Sequence, residues 1–120
     1  MTSTLEAENA AVLRGMAERG DDLSIPRAVD FTAVFMDQAK ASSFARRAAE
    51  QGYDVALEET RTAPTHPWDV VAAREMMPTV DAVTRAETAL SLLANEYGGM
   101  IDGWGCLAQN GQAALPSPKT

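Results

Sequence analysis

Residues 27–35, Arg-Ala-Val-Asp-Phe-Thr-Ala-Val-Phe, constrain the fold more than any other stretch of the chain. Successive side chains of an extended segment point to opposite sides, so Val29, Phe31, Ala33 and Phe35 share one face. Ala28, Asp30, Thr32 and Val34 share the other. β-branched and aromatic residues dominate, and the segment is predicted to be a strand. Its second face is only half polar, which places it in the middle of a sheet.

The flanking segments supply partners for that strand. Ser3 and Glu6 have capping-box spacing, and Leu5, Val12, Leu13 and Met16 share a helical face. With Gly20 as a stop, a helix is predicted from Leu5 to Arg19. Its polar face is dense, so loose packing is expected. Asp21–Pro26 read as a turn. Asp37 can cap a second helix carrying Ala41, Phe44, Ala45 and Ala48 at helical spacing, closed by Gly52. Tyr53, Val55 and Leu57 alternate with Asp54, Ala56 and Glu58, which predicts a second strand. Pro64 and Pro67 mark a loop over Thr60–Pro67. Trp68–Met76 is expected to be a third strand; Val70-Val71 favours this, although Ala72, Ala73 and Arg74 tolerate helix. After Pro78, Thr79 can cap a long helix to Tyr97, with Val80, Val83, Leu90, Leu93, Ala94 and Tyr97 as its buried stripe. Gly98-Gly99 ends it. Met100–Leu107 is a last short strand interrupted by Gly103 and Gly105. Beyond Gln109 the composition turns to Gly, Ala, Pro and Ser, which predicts a disordered tail over 110–120.

The order is a helix followed by β-α-β-β-α-β. It predicts an α+β fold: a ferredoxin-like sandwich with an extra N-terminal helix, forming a single domain over residues 1–109. Two helices would cover one face of an antiparallel sheet, with right-handed crossovers. Phe31, Phe35, Phe44, Leu57, Leu90 and Leu93 are the expected core.

Charge narrows the function. The chain carries 17 acidic residues against 10 basic ones, a formal net charge of -7. Nucleic-acid binding requires Lys and Arg to neutralise phosphates, and only Arg46-Arg47 are adjacent. A protein partner with a basic surface fits better. Cys106 is the only cysteine, so no internal disulfide can form, which suits a reducing compartment. The first residues, Met-Thr-Ser-Thr-Leu-Glu, lack the pattern of a secretory leader, and no apolar run reaches membrane length. The expected setting is the cytoplasm, without membrane contact.

Residues that carry chemistry are sparse. His66 stands alone in the Pro-rich loop and reads as exposed. Cys106 lies on an apolar-flanked strand, where an inert thiol is the commoner state. Glu58-Glu59 end a strand and read as solvated. The glycines match neither a dinucleotide nor a P-loop pattern. In Asp102-Gly103-Trp104-Gly105 their spacing suggests a bulge or close backbone approach. Trp104 and Trp68 are each open to two readings, core or partner-facing. No catalytic residue, cofactor or metal site is predicted.

Three stretches together resemble a known family. Gly20-Asp21-Asp22-Leu23-Ser24-Ile25-Pro26-Arg27-Ala28-Val29-Asp30-Phe31, Gly52-Tyr53-Asp54-Val55 and Tyr97-Gly98-Gly99-Met100-Ile101-Asp102-Gly103-Trp104 look like the regulator of ribonuclease E activity B family. The likeness runs from about Gly20 to Leu107, and the Asp-Gly-Trp-Gly core is its most specific part. It implies a ferredoxin-like fold and a non-enzymatic role, binding ribonuclease E and restraining or redirecting RNA turnover. It carries no catalytic residues over. Better-known members of the family end in an Asp/Glu-rich tail, whereas residues 112–120 contain no acid; if such a tail contributes to partner binding, this chain is expected to bind differently, more weakly or to something else.

The expected function is therefore a protein-binding regulator. The alternative is a small-molecule sensor, which a large apolar pocket with convergent polar groups would favour. In a ferredoxin-like sheet the first and last strands are neighbours. Asp30, Asp102 and Trp104 are therefore expected to approach one another and, with Asp21 and Asp22 of the turn, to form a contact patch anchored by Trp104. The competing expectation is that Asp102 merely turns the chain into a buried Trp104.

Overall fold

A computed structural model describes residues 4–60 and 65–106. The described elements are α1 (Thr4–Glu18), β1 (Arg27–Phe35), α2 (Gln38–Glu50), β2 (Asp54–Glu59), β3 (Trp68–Met76), α3 (Val80–Glu96) and β4 (Met100–Cys106). The strands form one four-stranded sheet in the order β2-β3-β1-β4. Every neighbouring pair is antiparallel. The fold is α+β, and β1 is central, as its two-sided composition requires. Ser3 and residues 110–120 lie outside the described residues.

Local chemistry sets the helix ends. The Asp37 side chain accepts a hydrogen bond from the Lys40 N–H at 2.9 Å, and the Thr79 hydroxyl accepts one from the Ala82 N–H at 3.0 Å. Each satisfies a backbone donor that the first helical turn leaves unpaired. At the other end of α2, Gly52 adopts φ 97. There the Gly52 N–H donates to the Ala49 carbonyl, and the Tyr53 N–H reaches the Ala48 carbonyl. A left-handed residue at this position favours glycine.

The core lies on one side of the sheet. Val29, Phe31, Ala33 and Phe35 of β1 are buried against Ala41, Phe44 and Ala48 of α2 and Val83, Leu90 and Leu93 of α3. Val70 and Ala72 of β3 complete it. Leu57 departs from expectation: it is half-buried at the margin of the core, because β2 is an edge strand. The apolar stripe of α1 is also narrower than the sequence suggests. Only Asn9 and Leu13 are buried there, and Val12 is 48% exposed, because α1 packs on α3 rather than on the sheet. β4 is described as far as Cys106, Leu107 lying outside the described residues, and its pairing with β1 shifts register between Thr32 and Ala33.

Candidate functional site

The second face of the sheet bears no described helix. The pairing registers arrange its side chains in rows across the strands. One row runs Gly105, Asp30, Ala73, Asp54. The next runs Gly103, Thr32, Val71, Ala56. A third runs Met100, Val34, Asp69, Glu58. Ala28 and Glu75 form a partial fourth row beside the first. Asp102 sits at the register shift of β4, opposite the Thr32–Ala33 step. The centre of the face is thus small and weakly polar, with carboxylates on both sides.

The charge on this face is of one sign. Of the two basic residues within the strands, Arg27 pairs in register with Met76 and Arg74 with Val29, which puts both on the core side. The Arg74 guanidinium lies over the Tyr53 ring at 4.4 Å from its centroid. Among the described residues, no cation forms an ion pair with Asp30, Asp54, Glu58, Asp69, Glu75 or Asp102. Burial raises the Asp69 carboxyl above its ordinary value, and the neighbouring charges of Asp102 and Glu58 raise it further. Both causes disfavour the charged form.

Among the described residues, no group of three His, Cys, Asp or Glu could hold a metal ion. His66 Nδ1 lies 3.1 Å from the Thr65 hydroxyl. Burial is the main cause that pushes the Cys106 thiol up, outweighing a nearby Arg27 that lowers it. A raised thiol is a poor nucleophile at neutral pH. No described helix is long and apolar enough to cross a membrane.

The family model for regulator of ribonuclease activity B matches residues 6–106. The chain belongs to that family. No curated protein matches it.

The structure separates the predicted contact residues of this regulator-family chain. Asp30 and Asp102 stand exposed on the open face. Trp104 pairs in register with Phe31, so it faces the core side, where its indole N–H donates to the Asn9 side-chain oxygen at 2.9 Å. Trp104 is therefore not brought together with the two aspartates. Asp21 is buried in an ion pair with Arg27. Asp22 is exposed and accepts hydrogen bonds from the Ser24 hydroxyl and N–H at 2.6 and 3.0 Å, which hold its carboxyl below the ordinary value. Trp68 is half-buried against the core margin.

Sequence reasoning missed the polar contact that fastens α1. The buried Asn9 amide donates to Thr84 Oγ1 at 3.0 Å and to Glu87 Oε1 at 3.1 Å, while its oxygen accepts from Trp104. A signal was present: Glu87 lies four residues after Val83 and three before Leu90, inside the α3 stripe. Asn9 likewise precedes Leu13 by four. Asn9→Ala leaves the Trp104 N–H and Glu87 without this partner and is expected to cost about 1–3 kcal/mol, read by urea denaturation. A loss within error would mean that α1 contributes nothing to cooperative unfolding.

A groove of about 290 Å³ lies beside this contact, lined by Val12, Met16, Arg19, Asp21, Trp104 and Cys106. It is small for a ligand site, and its buried carboxylate, Asp21, is already paired with Arg27.

Proposed function

We propose that this chain is a non-catalytic regulator that binds an endoribonuclease, ribonuclease E being the partner implied by the resemblance of its sequence motifs, and so restrains or redirects RNA turnover in the cytoplasm. The carrying observation is the open sheet face, which presents carboxylates on both sides of a centre of small residues with no described cation among them. Such a surface repels phosphates and attracts a basic protein surface. The strand order β2-β3-β1-β4 with antiparallel neighbours supports reading the fold as a ferredoxin-like sandwich with α1 added, within a single domain.

The test combines binding and activity. Titration calorimetry with purified ribonuclease E should give an affinity that falls as salt rises, since exposed charge pairs are screened. Cleavage of a model RNA should slow in proportion to occupancy. Failure to bind at low salt, or unchanged cleavage at saturation, would overturn the proposal. His66→Ala and Cys106→Ser should leave inhibition unchanged within about twofold, because neither residue belongs to the carboxylate rows of the open face. A large loss of inhibition at unchanged thermal midpoint would revive a chemical role.

A further inference from the structure

We propose that the open sheet face receives a short arginine-rich segment of the partner, lying extended across the strands along the track Gly103, Thr32, Val71, Ala56. This rests on the reading above that the chain acts by binding a protein, and it assigns the surface and the chemistry of what occupies it.

The registers carry the inference. The track separates two carboxylate-bearing rows: Asp30 and Asp54 on one side, Asp69 and Glu58 on the other. Adjacent rows are two residues apart along each strand, about 7 Å. That distance suits the reach of an arginine side chain from a backbone placed over the track. Strands are spaced about 4.8 Å apart, so crossing from β4 to β2 spans roughly 14 Å, or about four residues of extended chain. Successive side chains of an extended segment point in opposite directions. Two consecutive arginines therefore reach opposite rows. Glycine, threonine, valine and alanine along the track give a low surface on which the backbone and the aliphatic stems can rest. The planar guanidinium fork matches a carboxylate with two parallel hydrogen bonds, which an ammonium group cannot do.

Other occupants fit worse. A nucleic acid has the wrong sign. A second copy of the same face would set carboxylate against carboxylate. The chain's own residues 61–64 and 107–120 bring only Arg61 and Lys119 as cations, too few to match both rows.

The test uses the full chain and three synthetic octapeptides of equal length: one with paired arginines in a Gly/Ser background, the same peptide with lysines, and the same with neutral glutamines. Affinity is measured by calorimetry alongside ribonuclease E. Two face variants, Asp30→Asn/Asp54→Asn and Glu58→Gln/Asp69→Asn, each remove two charges. The control Glu50→Gln/Asp81→Asn removes two charges from exposed helix positions. The arginine peptide should bind most tightly and the glutamine peptide not measurably. Each face variant should weaken the arginine peptide and ribonuclease E roughly tenfold, with the control changing either less than about twofold. Equal weakening by face and control variants would overturn the assignment in favour of net charge alone. Weakening by only one face variant would overturn the two-row geometry. Binding of ribonuclease E that no face variant affects would overturn this surface while leaving the regulatory function intact. Absence of ribonuclease E binding alongside intact, face-dependent arginine-peptide binding would instead overturn only the choice of ribonuclease. Unchanged thermal midpoints confirm that these variants fold.

Discussion

Asp21→Ala is expected to destabilise the fold by about 3–5 kcal/mol, the usual consequence of removing one partner from a buried ion pair. The Asp21 and Arg27 side chains are only 3% and 2% exposed. Arg27 Nη1 donates to both Asp21 carboxylate oxygens at 2.8 Å. Its Nη2 donates to the Asp22 carbonyl at 2.8 Å, and its Nε to the Ile25 carbonyl at 3.2 Å. One guanidinium thus gathers the turn between α1 and β1 and fastens it to the first residue of the central strand. Without Asp21, the buried cation loses its counter-charge. Arg27→Met keeps much of the volume but strands a buried carboxylate and the turn carbonyls, so a similar loss is expected. The pair is better tested together: Asp21→Ala/Arg27→Met should lose clearly less than the sum of the single changes, since no unpaired charge remains. Urea denaturation of the four proteins gives the cycle. A loss below about 1 kcal/mol for Asp21→Ala would mean that water reaches the pair.

The ion pair also marks where sequence reading stops. An aspartate in a turn signals solvent exposure, and for Asp22 that is correct. Asp21 differs because Arg27, six residues later, begins β1 on its core face. Alternation alone made β1 legible, and its observed burial repeats that alternation along the whole strand. The helix caps at Asp37 and Thr79 were legible for a similar reason, since each depends on contacts within three residues. The contact between Asn9, Glu87 and Trp104 spans three elements distant in sequence. Apolar periodicity marks Asn9 and Glu87 only as polar residues at buried helical positions and does not show that they meet each other and Trp104.

The candidate site was legible residue by residue but not as a surface. The outward positions of each strand could be read from the alternation, but their assembly depends on strand order and register. Trp104 shows how much register matters. The expectation of one patch rests on the first and last strands being neighbours, and strict alternation would also put Asp102 and Trp104 on the same side of β4. The observed pairing matches Ile101 with Ala33 and Trp104 with Phe31, so four residues of β4 cover three of β1. The extra residue is a bulge, which reverses the phase of the strand. Ile101 and Trp104 consequently both face the core, while Asp102 stays exposed near Asp69. The spacing of Gly103 and Gly105 signalled the bulge without giving its position.

Phe35→Ala should cost about 3–5 kcal/mol, the range for removing a buried aromatic ring. Phe35 is fully buried at the end of β1, and its ring centroid lies 5.1 Å from that of Phe44 on α2. The ring also lies over Gly99, where an added Cβ would come within 2.4 Å of ring carbons and 2.5 Å of the Val34 carbonyl oxygen. The absence of a side chain at Gly99 is therefore what lets β4 begin close against β1. This makes the site sensitive in both directions. Phe35→Ala opens a cavity between β1, α2 and the start of β4, and the surrounding elements can close it only by breaking strand pairing. Gly99→Ala overpacks the same place and is expected to cost about 1–3 kcal/mol or more. The two defects should not cancel in Phe35→Ala/Gly99→Ala. Losing the ring relieves one clash, but the Val34 carbonyl belongs to the backbone and remains in the way. The double variant should therefore be no more stable than Phe35→Ala, as judged by the thermal midpoint and the urea midpoint together. A double variant that recovered half or more of the Phe35→Ala loss would show that β4 can move away from β1 at little cost, and the tight β1–β4 junction inferred here would be wrong.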